Sequence, residues 1–351
     1  MPKRLECAQS VILHGIVYVG SERTILQYSI DQDQWSELPR PPQKDFSMAV
    51  LNEQLVLVGG FEGSGMLFSQ DIVSSKISVW DPDSRKWSHP YPCIPTARYA
   101  VSSVGYKGYL IIAGGRECVP VDSSLVTHQI EVPSLSAVEI LDTATSTWYG
   151  GDPLPFECHA MQPAVIRDAL YLLGGRNRFD FMKAVIWASL PSLTSKACKS
   201  SPTCTSEATA SKCTQCNSSP YCWSVLPPCP HFASSVPYYY SSNHGNGNTS
   251  EDHDHGDATT GSTSINVPLL AIGGHTGLQL SLLGELDTAR LSKEIHAYIH
   301  VTGRWARVNG ELPEACVGCC SCVLPSGELF VVRGGQFKYS TYIGTFQKYN
   351  H

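Results

Sequence analysis

Short, largely apolar runs that end in two glycines recur along the chain. Apolar runs bounded by glycine are typical of buried β-strands. Their repetition predicts a fold that grows by adding one structural unit after another. The full copies are Val56-Leu57-Val58-Gly59-Gly60, Ile111-Ile112-Ala113-Gly114-Gly115, Tyr171-Leu172-Leu173-Gly174-Gly175, Leu270-Ala271-Ile272-Gly273-Gly274 and Val331-Val332-Arg333-Gly334-Gly335, and an imperfect copy is Val17-Tyr18-Val19-Gly20-Ser21.

A second pattern follows most of these runs, in which a large apolar residue precedes a tryptophan by seven positions. Turn-forming residues such as Asp81-Pro82-Asp83-Ser84 lie between the two, so each pair predicts a hairpin with a large side chain on both arms. The pairs are Tyr28 with Trp35, Trp80 with Trp87, Leu141 with Trp148 and Tyr298 with Trp305. A Leu-Pro step then ends most units, at Leu38-Pro39, Leu154-Pro155, Leu226-Pro227 and Leu312-Pro313.

Together these patterns resemble the kelch repeat over the whole chain apart from two insertions. The resemblance implies an all-β fold, a six-bladed kelch β-propeller that forms a single domain over residues 1–351. An unrelated all-β sandwich is the alternative. The blades are expected at about 7–38, 45–90, 98–150, 159–226, 230–309 and 316–351.

In that family the glycines allow close backbone packing where the second strand ends, and the aromatic residues fill the gaps between blades. The residues expected to serve these structural roles are Gly59, Gly60, Gly114, Gly115, Gly174, Gly175, Gly273, Gly274, Gly334, Gly335, Trp35, Trp87, Trp148, Trp223 and Trp305.

The last blade is expected to be incomplete. After Gly334-Gly335 only one strand follows before the chain stops at His351, and no tryptophan comes after it. Met1-Pro2-Lys3-Arg4 looks like the tail of an outer strand. We therefore expect a fragment or truncated gene product whose upstream residues complete the sixth blade; the alternative is a propeller that closes with a three-stranded blade.

Two insertions, expected at 191–221 and 241–264, are predicted to be flexible. The first is rich in Ser, Thr and Cys, and the second in Gly, Asn, Ser, His and Asp. Cys213 and Cys216 are candidate metal ligands, and His253 or His255 would complete a tetrahedral site. Because the Cys-x-x-Cys pair lacks a second pair, the sequence favours an insertion without a metal. A further group, Cys316, Cys320 and Cys322, is expected to pack on one face of an inner strand.

Composition and charge remove several classes of partner. The formal net charge is −6 and no basic run is present, which argues against a nucleic-acid surface. No apolar segment is long enough for a membrane span, and a signal peptide is not predicted at the N-terminus. The 14 cysteines are interpreted as thiols in a cytoplasmic protein.

Binding residues are expected on the face that carries the long connections after the second strands, near Phe61–Ser75, Arg116–Ser136, Arg176–Met182 and His275–Ser292. Arginine and aromatic residues dominate binding hot spots, and arginine pairs well with acidic motifs. The predicted partner-binding residues are Arg98, Arg116, Arg176, Arg178, Phe179, Phe181, His275 and Gln279.

The predicted function is therefore that of a protein-protein interaction module that grips a partner protein or peptide. A partner with an acidic motif would suit the arginines. The resemblance implies a substrate-recognition role in a ubiquitin-ligase adaptor; a cytoskeletal or signalling scaffold is an alternative. A propeller enzyme, copper oxidase-like or sugar-modifying, is a second alternative. Because the sequence lacks recurring catalytic motifs, neither catalysis nor a cofactor is expected.

Overall fold

The computed structural model describes residue 5 and residues 8–63, 72–117, 134–177, 181–194, 222–231, 238–239, 269–274, 291–315, 319–332 and 341–344. Strands dominate this part of the chain, and its α-helix is a single turn. No helix among these residues has the length and apolar character needed to cross a membrane. Both predicted insertions lie outside the described residues, apart from 191–194.

The strands follow one another as short antiparallel hairpins. The first two units contain β1 (Gln9–Leu13), β2 (Ile16–Ser21), β3 (Thr24–Ser29), β4 (Gln34–Glu37), β5 (Ser47–Leu51), β6 (Gln54–Val58), β7 (Phe61–Glu62), β8 (Ile72–Val73), β9 (Ile77–Asp81) and β10 (Lys86–Ser88). The next two contain β11 (Ser102–Tyr106), β12 (Tyr109–Ala113), β13 (Val138–Asp142), β14 (Thr147–Gly151), β15 (Gln162–Ile166), β16 (Ala169–Leu173), β17 (Val185–Ser189), α1 (Leu190–Thr194) and β18 (Trp223–Leu226). The remaining strands are β19 (Tyr238–Tyr239), β20 (Leu269–Ile272), β21 (Glu294–Ile299), β22 (Arg304–Glu311), β23 (Cys320–Val323), β24 (Leu329–Val332) and β25 (Thr341–Gly344).

These strands form an all-β propeller, which confirms the predicted class. Five four-stranded sheets are found among the described residues: β1 to β4 (blade one), β5-β6-β9-β10 (blade two), β11 to β14 (blade three), β15 to β18 (blade four) and β19-β23-β24-β25. Strands β20 to β22 form a three-stranded sheet, and β7 pairs with β8 as a separate ribbon. The innermost strands contact one another in the order β1, β5, β11, β15, β19, β23 and back to β1.

One pairing departs from the antiparallel hairpins of the other sheets. Strand β19 lies in the range expected for the fifth blade, 230–309, but pairs in parallel with β23, with Tyr238 opposite Cys322. Inner strands of neighbouring blades run in the same direction along a propeller axis. A two-residue strand at that radius can therefore bond sideways to the next inner strand.

Burial falls from the inner strands to the outer ones. All five residues of β5 are buried, and so are four of the five in β6, because both faces of a blade are covered by its neighbours. In β4 and β10 only the tryptophan is partly covered. The second strands therefore read as continuous apolar runs, whereas the outer strands are polar except for one large aromatic residue.

The predicted hairpin pairs are confirmed by the register of the third and fourth strands. Tyr28 faces Trp35, Trp80 faces Trp87, Leu141 faces Trp148 and Tyr298 faces Trp305. Three tryptophans also donate their indole N–H to the chain that ends the preceding unit. The bonds run from Trp87 to the Pro39 carbonyl (3.2 Å), from Trp223 to that of Asp152 (2.9 Å) and from Trp305 to that of Pro227 (3.0 Å).

The paired glycines lie where one blade touches the start of the next. A Cβ on Gly114, which has a φ of +63°, would lie 2.5 Å from the Cys158 carbonyl oxygen. The neighbouring Gly115 N–H donates to that same oxygen at 2.9 Å. The eight paired glycines among the described residues all have positive φ, as expected from their structural role, and Gly334 and Gly335 lie outside that part of the chain.

Blade one packs against strands β23 and β24 from the other end of the chain. The Phe330 ring lies 5.3 Å from that of Tyr28 and 6.3 Å from that of Trp35. Cys320 and Cys322 are buried in this contact, as strand alternation predicts, and Cys316 lies outside the described residues. The start and end of the chain therefore meet through a shared apolar core.

Candidate interaction surface

In blades two, three and four, the residue after Gly-Gly is held by a backbone bridge to the segment that enters the same blade. The bridged pairs are Lys44 with Phe61, Tyr99 with Arg116, and His159 with Arg176. Each bridge consists of two N–H to carbonyl bonds of 2.8 to 3.0 Å. Because these bridges continue the pairing of the first and second strands, they place side chains from three adjacent blades at the same end of the propeller.

We call Lys44, Phe61, Tyr99, Arg116, His159, Arg176 and Phe181 the loop arc. Within it, cationic and aromatic side chains stack on one another, and one contact crosses between blades. The Lys44 Nζ atom lies 5.8 Å from the centre of the Phe61 ring, and that ring lies 4.5 Å from Tyr99 of blade three. The Arg116 guanidinium lies 5.9 Å from the Tyr99 ring.

Arg176 is the exposed cation of the loop arc on blade four. Its guanidinium lies 4.4 Å from the centre of the Phe181 ring, and the backbones of the two residues form a further bridge. Stacking on an aromatic face fixes the plane of a guanidinium while leaving its in-plane N–H groups directed outward. This arrangement prepares Arg176 to bind a planar anionic group such as a carboxylate.

His159 lies between the two arginines and remains uncharged near neutral pH. It is 8% exposed, and its Nδ1 atom lies 2.9 Å from the hydroxyl of Ser134. Burial lowers its pKa to about 4, and the positive charges of Arg116 and Arg176 act in the same direction. The charge of this part of the loop arc therefore comes from its arginines, and acidification to pH 5.5 leaves it unchanged.

Arg98, predicted to contact a partner, is instead a buried structural residue. It is 0% exposed, its Nη2 atom lies 2.7 Å from Glu139 Oε2, and its Nη1 atom donates to the Gly114 carbonyl at 3.0 Å. Its Nε atom donates to the Thr96 carbonyl at 3.1 Å. Arg98 is buried because it precedes the bridged residue Tyr99, and strand alternation turns it toward the interior.

The structure thus brings three of the predicted partner-binding residues, Arg116, Arg176 and Phe181, into one surface. The predicted residues Arg178, Phe179, His275 and Gln279, and the candidate ligands Cys213 and Cys216, lie outside the described residues. Sequence reasoning missed Lys44, Phe61, Tyr99 and His159. A comparison of the residues flanking each Gly-Gly would have found Phe61, which follows Gly60 as Arg116 follows Gly115.

Arginine and aromatic side chains mark this surface. Within the described ranges, no group of three or more His, Cys, Asp and Glu side chains is arranged to hold a metal ion. What the loop arc offers is exposed and half-buried arginine beside aromatic rings. Exposed arginine beside aromatic rings is typical of surfaces that bind anionic groups and apolar side chains.

Three curated relatives match part of the chain. It is 25% identical to Kelch repeat and BTB domain-containing protein 12 of Homo sapiens over 44% of this chain and 25% of the relative. It is 25% identical to Beta-scruin of Limulus polyphemus over 42% of this chain and 15% of the relative, and 23% identical to Kelch-like protein terF of Aspergillus terreus over 44% and 31%. The matches therefore span less than a third of the length of each relative, and no family model matches the chain.

A likeness to a solved structure covers nearly the whole chain. The structure of YjhT superposes with a TM-score of 0.66 at 14% identity, over 99% of this chain and 97% of that one. At this identity the likeness concerns the fold alone. It agrees with the propeller formed by the described residues.

The fold and the loop arc define a β-propeller that carries an arginine and aromatic surface at one end. The relatives in sequence narrow the class of propeller. Two of them are kelch proteins by name, and the repeats of this chain have the glycine and tryptophan pattern of the kelch repeat. The chain is accordingly a β-propeller whose repeats resemble those of kelch-repeat proteins.

Proposed function

We propose that this chain is a protein-protein interaction module that grips a partner through the loop arc and the loops beside it. The observation that carries the proposal is the stacking of Arg116 on Tyr99 and of Arg176 on Phe181 at the same end of adjacent blades. Arginine and aromatic residues supply most of the energy of protein interfaces. We include Arg178, Phe179, His275 and Gln279 in the proposed surface, since they lie in the same sequence neighbourhoods.

The proposed partner carries an acidic segment. The loop arc contains Lys44, Arg116 and Arg176, whereas His159 stays neutral, so its own charge is positive. Opposite charge across an interface speeds association and excludes like-charged partners. Each arginine can form two parallel hydrogen bonds with a carboxylate, which selects aspartate and glutamate over neutral side chains.

The propeller that presents this surface is proposed to have six blades. In this arrangement the three-stranded sheet β20 to β22 belongs to the fifth blade and β23 to β25 form the sixth, with β19 paired to β23 between them in the order of inner strands. The closed order of contacts among the innermost strands supports the count. A closed ring gives the loop arc a rigid base, which lowers the entropy lost on binding.

We place the module in the cytoplasm as the substrate-recognition part of a ubiquitin-ligase adaptor. The name of the human relative, which pairs kelch repeats with a BTB domain, supports this role, and the match covers 25% of that protein. Immunoprecipitation of the endogenous protein should recover a ubiquitin ligase if the role is right. Recovery of cytoskeletal or signalling assemblies without a ligase would favour a scaffold instead.

The interaction role itself is tested by affinity capture from native lysate. The wild-type propeller is compared with an Arg116→Ala, Arg176→Ala double variant and with a charge-matched control, Lys86→Ala with Arg304→Ala. Lys86 and Arg304 begin the outer strands β10 and β22, at the opposite end of the blades from the paired glycines. We expect the same acidic protein from the wild type and the control and at least about tenfold less from the loop-arc variant, since two charge-assisted contacts are removed. Equal capture by the loop-arc variant would move the binding surface elsewhere.

An enzymatic role is the second candidate function, and affinity capture does not test it. Purified propeller that binds no protein but turns over a sugar or an oxidisable alcohol would overturn the interaction proposal. We expect no turnover, because the loop arc offers paired cations and aromatic rings without a positioned acid and base.

A further inference from the structure

A pair of interior side chains occurs at the same place in four consecutive units. In each unit the first glycine donates its N–H to a residue that begins or precedes the third strand, namely Lys76, Ala137, Ala184 or Glu294. Two residues further on, the side chain points toward the segment that enters the blade. These third-strand residues are Ser78, Glu139, Ile186 and His296.

The chemistry of the pair changes from unit to unit. In blade two the Ser78 hydroxyl donates to Gln43 Oε1, and in blade three Arg98 binds Glu139. In blade four Cys158 and Ile186 lie in one apolar cluster. In the β20 to β22 sheet the His231 ring lies 4.8 Å from the His296 ring. Of these four pairs, only the two histidines have side chains whose ordinary pKa lies between pH 5 and pH 7.

Both histidines are interior. His231 is 1% exposed and His296 is 8% exposed, and their ring planes are inclined at 48°. The Nδ1 atom of His296 has no hydrogen-bond partner among the described residues. A buried imidazole that gains a proton needs a hydrogen-bond acceptor or water. The second imidazole beside it carries no negative charge, so it cannot balance the added positive charge.

The charges around the pair do not favour an added proton. Glu294 Oε2 lies 3.7 Å from His296 Nε2, but Arg307 Nη1 lies 3.3 Å from the other oxygen of that carboxylate. Arg307 also binds Glu311 at 3.3 Å, and the Lys183 ammonium donates to the Pro230 carbonyl beside His231 at 2.9 Å. Burial lowers the pKa of His296, Glu294 raises it in part, and Arg307 lowers it again.

We propose that His231 and His296 form a proton-sensitive latch that holds the segment ending at His231 against β21, between blade four and the β20 to β22 sheet. With both rings neutral, the imidazoles pack together and the junction is closed. When one ring takes up a proton, the charge draws water into the junction and the segment separates from β21. The latch needs no partner protein, so it stands apart from the proposed interaction role.

The direction with pH follows from linkage. Because the pKa of His296 is lower in the folded chain than in the unfolded one, its contribution to stability is complete above about pH 6.5, the unfolded value. That contribution is lost progressively as the pH falls below this value. The junction is therefore closed at pH 7.5 and opens more often at pH 5.

Hydrogen exchange followed by mass spectrometry tests the latch on the wild-type chain. Exchange is measured at pH 7.5 and at pH 5.0 and corrected for the intrinsic effect of pH on amide exchange. We expect exchange in Glu294–Ile299 to rise at least about threefold more than in Val138–Asp142, the equivalent strand of blade three, because Arg98 and Glu139 keep their charges over this range. An equal response of the two strands would overturn the proposal.

A variant copied from blade two separates the latch from other effects of acid. The double change His231→Gln with His296→Ser recreates the neutral Gln43 and Ser78 pair, and we expect it to remove the extra response of β21. A His14→Asn control, at an exposed histidine in the turn between β1 and β2, should leave that response as in the wild type. If the double variant folds and keeps the full response, the histidine pair is not its source. If the double variant does not fold, the wild-type chain is titrated with acid and the imidazole proton shifts are followed by NMR. Two independent titrations near pH 6.5 would contradict a coupled buried pair and overturn the proposal.

Discussion

The outer edge of the propeller and the loop arc use the repeat in opposite ways. In the outer strands, Trp87, Trp223 and Trp305 occupy equivalent places and donate the same hydrogen bond to the preceding unit. The side chain and its contact are both repeated. The repeated tryptophans of the outer strands therefore hold neighbouring units together.

After the paired glycines, only the backbone is repeated. Phe61, Arg116 and Arg176 form the same bridge in successive blades, yet one is aromatic and two are cationic. Side chains on a fixed framework can vary without loss of the fold, which is how specificity is built on a common scaffold. Changes to the framework should therefore destabilise the protein, and changes to the loop arc should alter binding.

The largest effect on stability is expected from Arg98. An Arg98→Met change leaves the nearly buried Glu139 carboxylate without its ion pair, so the free energy of unfolding should fall by about 3 to 5 kcal/mol in urea titrations. The double change Arg98→Gln with Glu139→Ser, which copies the Gln43 and Ser78 pair of blade two, should recover at least half of the loss. A small loss from the single change would mean that the buried ion pair does not hold the blade together.

The next effect separates backbone strain from close packing. Gly114 and Gly15 both have positive φ, but a Cβ would meet the Cys158 carbonyl at Gly114 and nothing within 4 Å at Gly15. Gly15→Ala should cost about 1 kcal/mol, and Gly114→Ala about 2 kcal/mol more, both measured by chemical unfolding. Equal costs at the two sites would show that contact between blades does not require the paired glycines.

An effect of pH is expected from His159. Because its pKa is lowered to about 4 in the folded chain, stability is complete above about pH 6.5 and falls as the pH drops toward 4. A His159→Gln variant should lose about 1 to 2 kcal/mol less than the wild type over this range, after allowance for solvent screening. Parallel pH profiles would mean that His159 titrates normally.

The smallest effect concerns a single hydrogen bond. Trp223 donates to the Asp152 carbonyl at 2.9 Å, whereas the buried Nε1 of Trp148 has no hydrogen-bond partner among the described residues. Trp223→Phe should therefore cost about 1 kcal/mol more than Trp148→Phe in the free energy of unfolding. The reverse order would contradict the role of the indole bond between units.

The strands and the paired glycines could be predicted because their chemistry recurs in the sequence. The position of Arg116 and Arg176 could be predicted from the same recurrence, since both follow a Gly-Gly. The contact between Phe61 and Tyr99 could not, because it joins adjacent blades at a distance that the strand pattern does not encode. The burial of Arg98 was missed because the equivalent residue of blade two, Gln43, is neutral, so no charge pattern marked the position as interior.

The pairing of β19 could not be predicted for a different reason. Tyr238–Tyr239 falls in the range expected for the fifth blade, 230–309, yet it pairs with a strand in the range expected for the sixth. A two-residue strand gains little from either neighbour, and at the inner radius the adjacent strand β23 lies close enough to bond with it. Pairing of such short inner strands depends on the geometry of the closed ring, which a single sequence does not specify.

Photo-crosslinking tests the loop arc as the binding surface most directly. A photoreactive phenylalanine analogue is placed at Phe181 in one protein and at Val301 in another, since Val301 is 95% exposed in the turn between β21 and β22. Irradiation in lysate should join the captured acidic partner to the chain from position 181 and not from position 301. Crosslinking from position 301 alone would contradict the account and place the partner at the opposite end of the blades.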